Sequence, residues 1–228
     1  MKRKPGLNRT LWRSILLFML ASVFTGCQKN VNQNTIAPQI IHQEGVKLTN
    51  QKLPELKMMK GEKKYSVNTC NEFLANSKDS NVVETDANFK VYGDYQPCIA
   101  ANLFSQAKAS EKSYYNNDFA LLAHENIDLA SFRSSLRPAM EDNQHTFKDI
   151  KLHYSKADSV VVYNTDEWQY TLTLLAKGDF NQDKVEDLLV GFLDKSKTAS
   201  YYANVTLVLI KTSDNSLWMA DESEKYIK

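Results

Sequence analysis

From about residue 150, apolar residues recur at every second position. Trp168–Ala176 (WQYTLTLLA) alternates, placing Trp168, Tyr170, Leu172, Leu174 and Ala176 on one face and Gln169, Thr171 and Thr173 on the other. Val160–Tyr163, Asp187–Leu193 and Ala203–Lys211 read as further strands. A last strand around Leu217–Ala220 follows the turn residues Asp214-Asn215. Short connections between successive strands predict an antiparallel meander. Before this region the period is helical. NTCNEFLAN predicts a short helix capped by Asn68 or Thr69, and Ile99, Leu103 and Ala107 recur at helical spacing after Cys98. DLASFRSSL predicts another helix, capped by Asp128, burying Leu129, Phe132 and Leu136 and stopped by Pro138.

The first residues follow neither pattern. Lys2, Arg3, Lys4, Arg9 and Arg13 precede the apolar run SILLFMLASVF, residues 14–24, which ends in Thr25-Gly26-Cys27. Eleven residues are too few for a stable span, which needs about 20. A basic stretch, a short apolar run and a small residue before the break are the parts of an export signal. The Thr25-Gly26-Cys27 ending resembles the lipobox of bacterial lipoproteins, with Phe24 where Leu is commoner. That resemblance implies a signal peptide over residues 1–26, acylation of Cys27 as the new N-terminus, and a lipid-anchored protein of the cell envelope. Gln28, rather than Asp, after the cysteine is similar to the pattern of lipoproteins sorted to the outer membrane, here facing the periplasm.

Charge agrees with that division. The whole chain carries 28 basic and 27 acidic residues, a formal +1. Without residues 1–26 it carries 23 and 27, a net −4, so binding to nucleic acid is not expected. Seven of residues 28–45 are Asn or Gln, and residues 46–64 are rich in Lys, so 27–64 reads as a flexible tether and solvated lead-in. A contact of its lysines with anionic headgroups is the less favoured reading. The single folded domain is then 65–228, helical over about 65–142 and β over about 150–222. With Cys27 acylated, Cys70 and Cys98 form an even pair in an oxidising compartment and are expected to be disulfide-bonded. Such a loop stabilises by about 3.5 kcal/mol on the chain-entropy argument. The expected fold class is α+β: disulfide-tied N-terminal helices packed on a C-terminal antiparallel meander.

One segment carries chemistry. In GDFNQDKVEDLLVGF, residues 178–192, Asp179, Asn181, Asp183 and Asp187 occupy positions 1, 3, 5 and 9 of a calcium-type loop, and the Val185 carbonyl stands at position 7. Calcium takes six to eight hard oxygen ligands, which alternate residues of a tight loop can supply. Position 12 is Val190, not Glu, and Leu188-Leu189-Val190 reads as a strand, so this is not an EF-hand. It resembles the FG-GAP repeat, the calcium-loop hairpin of integrin-type propellers and many bacterial surface proteins. That resemblance implies Ca²⁺ held by Asp179, Asn181, Asp183, Val185 and Asp187. Lys184 stands where the family has Gly; lysine makes the turn only with strain, and its ammonium repels a cation. A loop whose Asp and Asn side chains cap their own backbone is the other reading, and the two stay open. A single copy excludes a propeller. The wider arrangement over residues 68–193 is similar to uncharacterised secreted bacterial proteins and implies no activity.

No GxSxG, HExxH, P-loop or dinucleotide fingerprint occurs, and no catalytic residue is assigned. His124-Glu125, Glu141-Asp142, His145 and His153 read as surface or satisfied core groups. Tyr114-Tyr115 and Tyr201-Tyr202 read as packing ahead of a recognition surface. The expected function is a lipid-anchored envelope binding module whose partner is an envelope protein. The alternatives are a periplasmic inhibitor of the immunity-lipoprotein type and, less favoured, a cell-wall or polysaccharide hydrolase with dispersed carboxylates.

Overall fold

The computed structural model describes residues 35–47 and 51–227. The expected signal segment, Cys27 and the first part of the expected tether lie outside the described residues. The architecture is mixed α and β, with β predominating. In chain order the elements are β1 (Gln39–Ile40), β2 (Leu56–Lys60), β3 (Lys63–Val67), α1 (Cys70–Ser77), β4 (Asn81–Val82), α2 (Asp86–Gly93), α3 (Gln96–Gln106), α4 (Phe119–Glu125), β5 (Ile127–Asp128), β6 (Tyr154–Ala157), β7 (Val160–Asn164), β8 (Trp168–Gly178), β9 (Asp187–Ser196), β10 (Tyr202–Ile210) and β11 (Trp218–Glu222). Among the described residues no helix is long and apolar enough to cross a membrane.

Strands β6 to β11 form an antiparallel meander in sequence order, with β5 added parallel to β11. Both faces are covered. On one, Leu172, Val190, Phe192, Leu207 and Trp218 meet Phe119 and Leu122 of α4, together with Leu129, Phe132, Leu136 and Phe147. On the other, Leu189 and Val208 meet Phe73 of α1, Ile99 and Leu103 of α3, and Leu56 and Met58 of β2. Cys70 and Cys98 are joined, Cα to Cα 5.5 Å, tying α1 to α3 as expected. Thr69 caps α1 through Glu72 N–H, satisfying one of the free amides of the first turn.

Three sequence expectations are corrected. The reading of 27–64 as tether fails from residue 35 onward. Ile36 exchanges both backbone hydrogen bonds with Ser110, and β1 pairs Gln39 with Lys177 and Ile40 with Ala176 of β8. Strands β2 and β3 form a hairpin turning at Gly61, whose φ of +59° suits glycine. The lysines that suggested solvated chain include the outward residues of that hairpin: Lys57 is exposed while Leu56 and Met58 are buried.

DLASFRSSL does not form an α-helix. Asp128 caps as expected, but only a 3₁₀ turn follows, Leu129–Ser131. Arg137 then donates to the carbonyls of Ala130 and Phe132, holding the chain in an irregular loop that still buries Leu129, Phe132 and Leu136. Finally, the β8–β9 register shifts between Leu174 and Ala176. A β-bulge there adds one residue, so Ala176 packs on the face opposite Leu174.

Candidate functional site

The Asp179–Asp187 segment joins the long central strands β8 and β9. Its geometry follows from its side chains, which replace the absent backbone ladder. Asp187 Oδ2 accepts the N–H groups of Phe180 (2.9 Å) and Asn181 (3.2 Å). Asp179 accepts Asp183 N–H on Oδ1 (3.1 Å) and Lys184 N–H on Oδ2 (3.0 Å). Asn181 Oδ1 also accepts Asp183 N–H (2.9 Å), and Asp183 Oδ1 accepts Val185 N–H (2.8 Å). Asn181 Nδ2 donates to Asp183 Oδ2 (3.0 Å). All four side chains assigned from the sequence are therefore brought to one loop. These bonds are the self-capping arrangement of Asx turns.

Two features go beyond self-capping. Asp187 is fully buried, and its Oδ1 has no hydrogen-bond partner. An unmatched buried carboxylate oxygen is costly unless a cation or water satisfies it. Burial raises the Asp187 carboxyl to about 7 despite the two amides that favour its charge, and nearby Asp183 and Asp179 push the same way. The second feature is the backbone at Gln182 (φ 68°) and Lys184 (φ 73°), where side chains occupy the left-handed region. Position 184 has the conformation for which glycine is suited, so the departure from the FG-GAP pattern is accommodated by strain and not by a different turn.

Sequence reasoning missed the segment that flanks the loop. Lys108 exchanges backbone bonds with Asp179, Glu111 and Lys112 donate N–H groups to the Lys184 carbonyl, and Glu186 N–H donates to the Lys112 carbonyl. Ser113 donates to Glu186 Oε1 at 2.7 Å. These pairings link positions some 70 residues apart, and no local pattern announces them. Among the described residues, no group of three or more His, Cys, Asp or Glu side chains is already gathered in the manner of a metal site. The loop carboxylates are turned onto amides instead.

The other titratable candidates are dispersed. His124 meets Tyr154 at a tilt (4.5 Å between centroids) and stacks on Tyr163 (6.0 Å), while Glu125 pairs with Lys148. His145 Nδ1 lies 3.7 Å from Asp128 Oδ1. Tyr114 and Tyr115 pack against the core, whereas Tyr201 and Tyr202 line a surface cavity. A scan against protein-family models, a search of curated proteins and a search of solved structures each return no match.

Proposed function

We propose that this chain is an exported, lipid-anchored protein of the cell envelope, held by Cys27 at the outer membrane and facing the periplasm, whose folded domain is a non-catalytic binding module for an envelope protein. We further propose that Asp179, Asn181, Asp183, the Val185 carbonyl and Asp187 hold Ca²⁺ and stabilise the module. The anchor rests on the sequence of residues 1–27. The calcium reading rests on one observation: the orphaned, fully buried Oδ1 of Asp187 beside Asp179 and Asp183. A hard divalent cation answers both the missing partner and the mutual repulsion of three carboxylates. The chemistry of the donor set, all oxygen, fits calcium better than a soft transition metal.

Thermal melts of the oxidised protein in calcium and in EDTA test the loop. A ligand at a hundred times its dissociation constant that binds only the folded state adds about 2.7 kcal/mol. The expected shift disappears in Asp179→Ala. Coincident melts would reduce the loop to a hairpin turn and move the reading toward the inhibitor class. For the anchor, Cys27→Ser is expected to leave the membrane fraction; a variant that still sediments with membranes, uncleaved, would overturn lipidation.

A further inference from the structure

The surface cavity lined by Tyr201 and Tyr202, about 400 Å³, lies away from the acidic loop, between α2, the loop that follows the 3₁₀ turn and the start of β10. Its size falls within the roughly 300–1,000 Å³ of small-molecule sites. Glu84 and Asp86 contribute carboxylates from the N-terminal end of α2, and Arg133 contributes a guanidinium from the loop. Phe89, Tyr201 and Tyr202 supply aromatic surface.

The charges are what distinguish it. Glu84 and Asp86 make no ion pair with Arg133 or with any other described residue. The ion pair of Arg133 runs from Nε to Glu222 at 4.0 Å, the outer limit of such a contact, and leaves the rest of its fork free for a bidentate acceptor. Glu84, Asp86 and Arg133 are all solvent-exposed, so each charged head is open to a ligand. These share a cavity and stay apart, so a cationic and an anionic subsite remain, with aromatic surface beside them. Tyr201 is fixed by donating to the Ser135 carbonyl (2.8 Å) and by edge contact with Trp168 (5.4 Å). Phe89 is 38% exposed, a large apolar side chain left uncovered at the rim.

We propose that this cavity binds the zwitterion of an amino acid with an apolar side chain. Arg133 takes the carboxylate, Glu84 and Asp86 take the ammonium, and Phe89, Tyr201 and Tyr202 hold the side chain. A neutral sugar would use the aromatic faces but leave the two charge subsites unspent. The inference goes beyond the protein-partner reading by adding a small-molecule ligand, and it is independent of the lipid anchor, the calcium loop and the envelope partner.

The test is calorimetry on the full-length protein in detergent micelles, with L-phenylalanine as probe. Its two half-charged analogues, 3-phenylpropanoate and phenethylamine, are the comparisons. L-phenylalanine is expected to bind at least about tenfold more tightly than either analogue, in EDTA as in calcium. Arg133→Gln should abolish the preference over phenethylamine and keep the preference over 3-phenylpropanoate. The double variant Glu84→Gln/Asp86→Asn should do the reverse. Because each variant retains one preference, misfolding cannot imitate the pattern. Absence of L-phenylalanine binding, equal binding of all three probes, or binding of a neutral disaccharide in their place would overturn the proposal. Failure of the calcium melt or of the membrane fractionation would leave these outcomes untouched.

Discussion

Lys184 and Glu111 are joined twice: Glu111 N–H donates to the Lys184 carbonyl at 2.7 Å, and the Lys184 ammonium lies 3.0 Å from Glu111 Oε1. The cation that the sequence places beside a calcium-type loop is therefore engaged by a carboxylate of the flanking segment. What the lysine costs is conformational. Left-handed backbone costs a residue with a side chain about 1–2 kcal/mol, whereas an exposed ion pair returns about 0–1 kcal/mol. Lys184→Gly is expected to stabilise the fold by about 1 kcal/mol or less, read by urea unfolding. A loss of stability would show that the Glu111 pair outweighs the strain.

Asp194 gives the stability a pH dependence. It is buried on β9, its Oδ1 lacks a partner, and burial raises its carboxyl to about 6 although Tyr201 opposes the shift. An unfolded Asp titrates near 3.9, so the folded state binds the proton more tightly than the unfolded state. Its contribution is full below about pH 4 and is lost as pH rises through about 6. The loss is of order 3 kcal/mol. Asp194→Asn keeps the neutral form at every pH. The stability difference between variant and parent, measured by urea unfolding from acid to neutral pH, is expected to grow in the variant's favour. A difference that stays flat would place the Asp194 proton elsewhere.

Removing the Cys70–Cys98 link by a double substitution to Ala is expected to lower stability by about 3 kcal/mol. Reduction of the parent protein should cost a similar amount, because both sulfurs are buried and the two perturbations share the lost restraint. Chemical unfolding with and without reductant compares them directly.

A chain beginning at residue 46 tests where the domain starts. It would lose the Ile36–Ser110 pair, β1, and the two N–H groups of Ile41 and His42 that meet the Leu175 carbonyl. With net values of about 1 kcal/mol per backbone hydrogen bond, a loss of about 2 kcal/mol or more is expected relative to a chain beginning at residue 33. Equal melting of the two would restore the tether reading for residues 35–45.

The strands from Val160 onward were legible because each is rich in β-branched, aromatic or aliphatic residues, and Trp168–Leu174 alternates cleanly. The meander then followed from short connections. The α1 cap was legible to within one residue, Asn68 or Thr69, and Asp128 was legible as a cap though not the length of the turn it starts, because capping is local. The bulge between Leu174 and Ala176 was not, since Leu174-Leu175-Ala176 is apolar throughout and no alternation reveals which residue is extra. Strand β1 is two residues long and is held by β8, more than a hundred positions away, so nothing nearby marks it. In the loop, the residues and their spacing were readable, but the orphaned oxygen of Asp187 and the flanking Lys108–Ser113 segment depend on tertiary contacts. The charges of the Tyr201–Tyr202 cavity come from two separate regions and carry no motif at all.

The pairing of β1 with β8 also sets how the domain would respond to pulling. Were the chain held through its N-terminus, as proposed, tension would reach the Ile36–Ser110 bridge and the two β1 pairings ahead of the longer ladders of the sheet. These few hydrogen bonds lie in series with the long β8–β9 ladder and would release first. Freeing residues 36–46 would add less than about 40 Å of reach, the extended length of eleven residues at about 3.3–3.6 Å each less the distance they already span. The meander, the disulfide and both cores would stay closed, so the same segment that seals the edge of β8 would act as a mechanical reserve of reach.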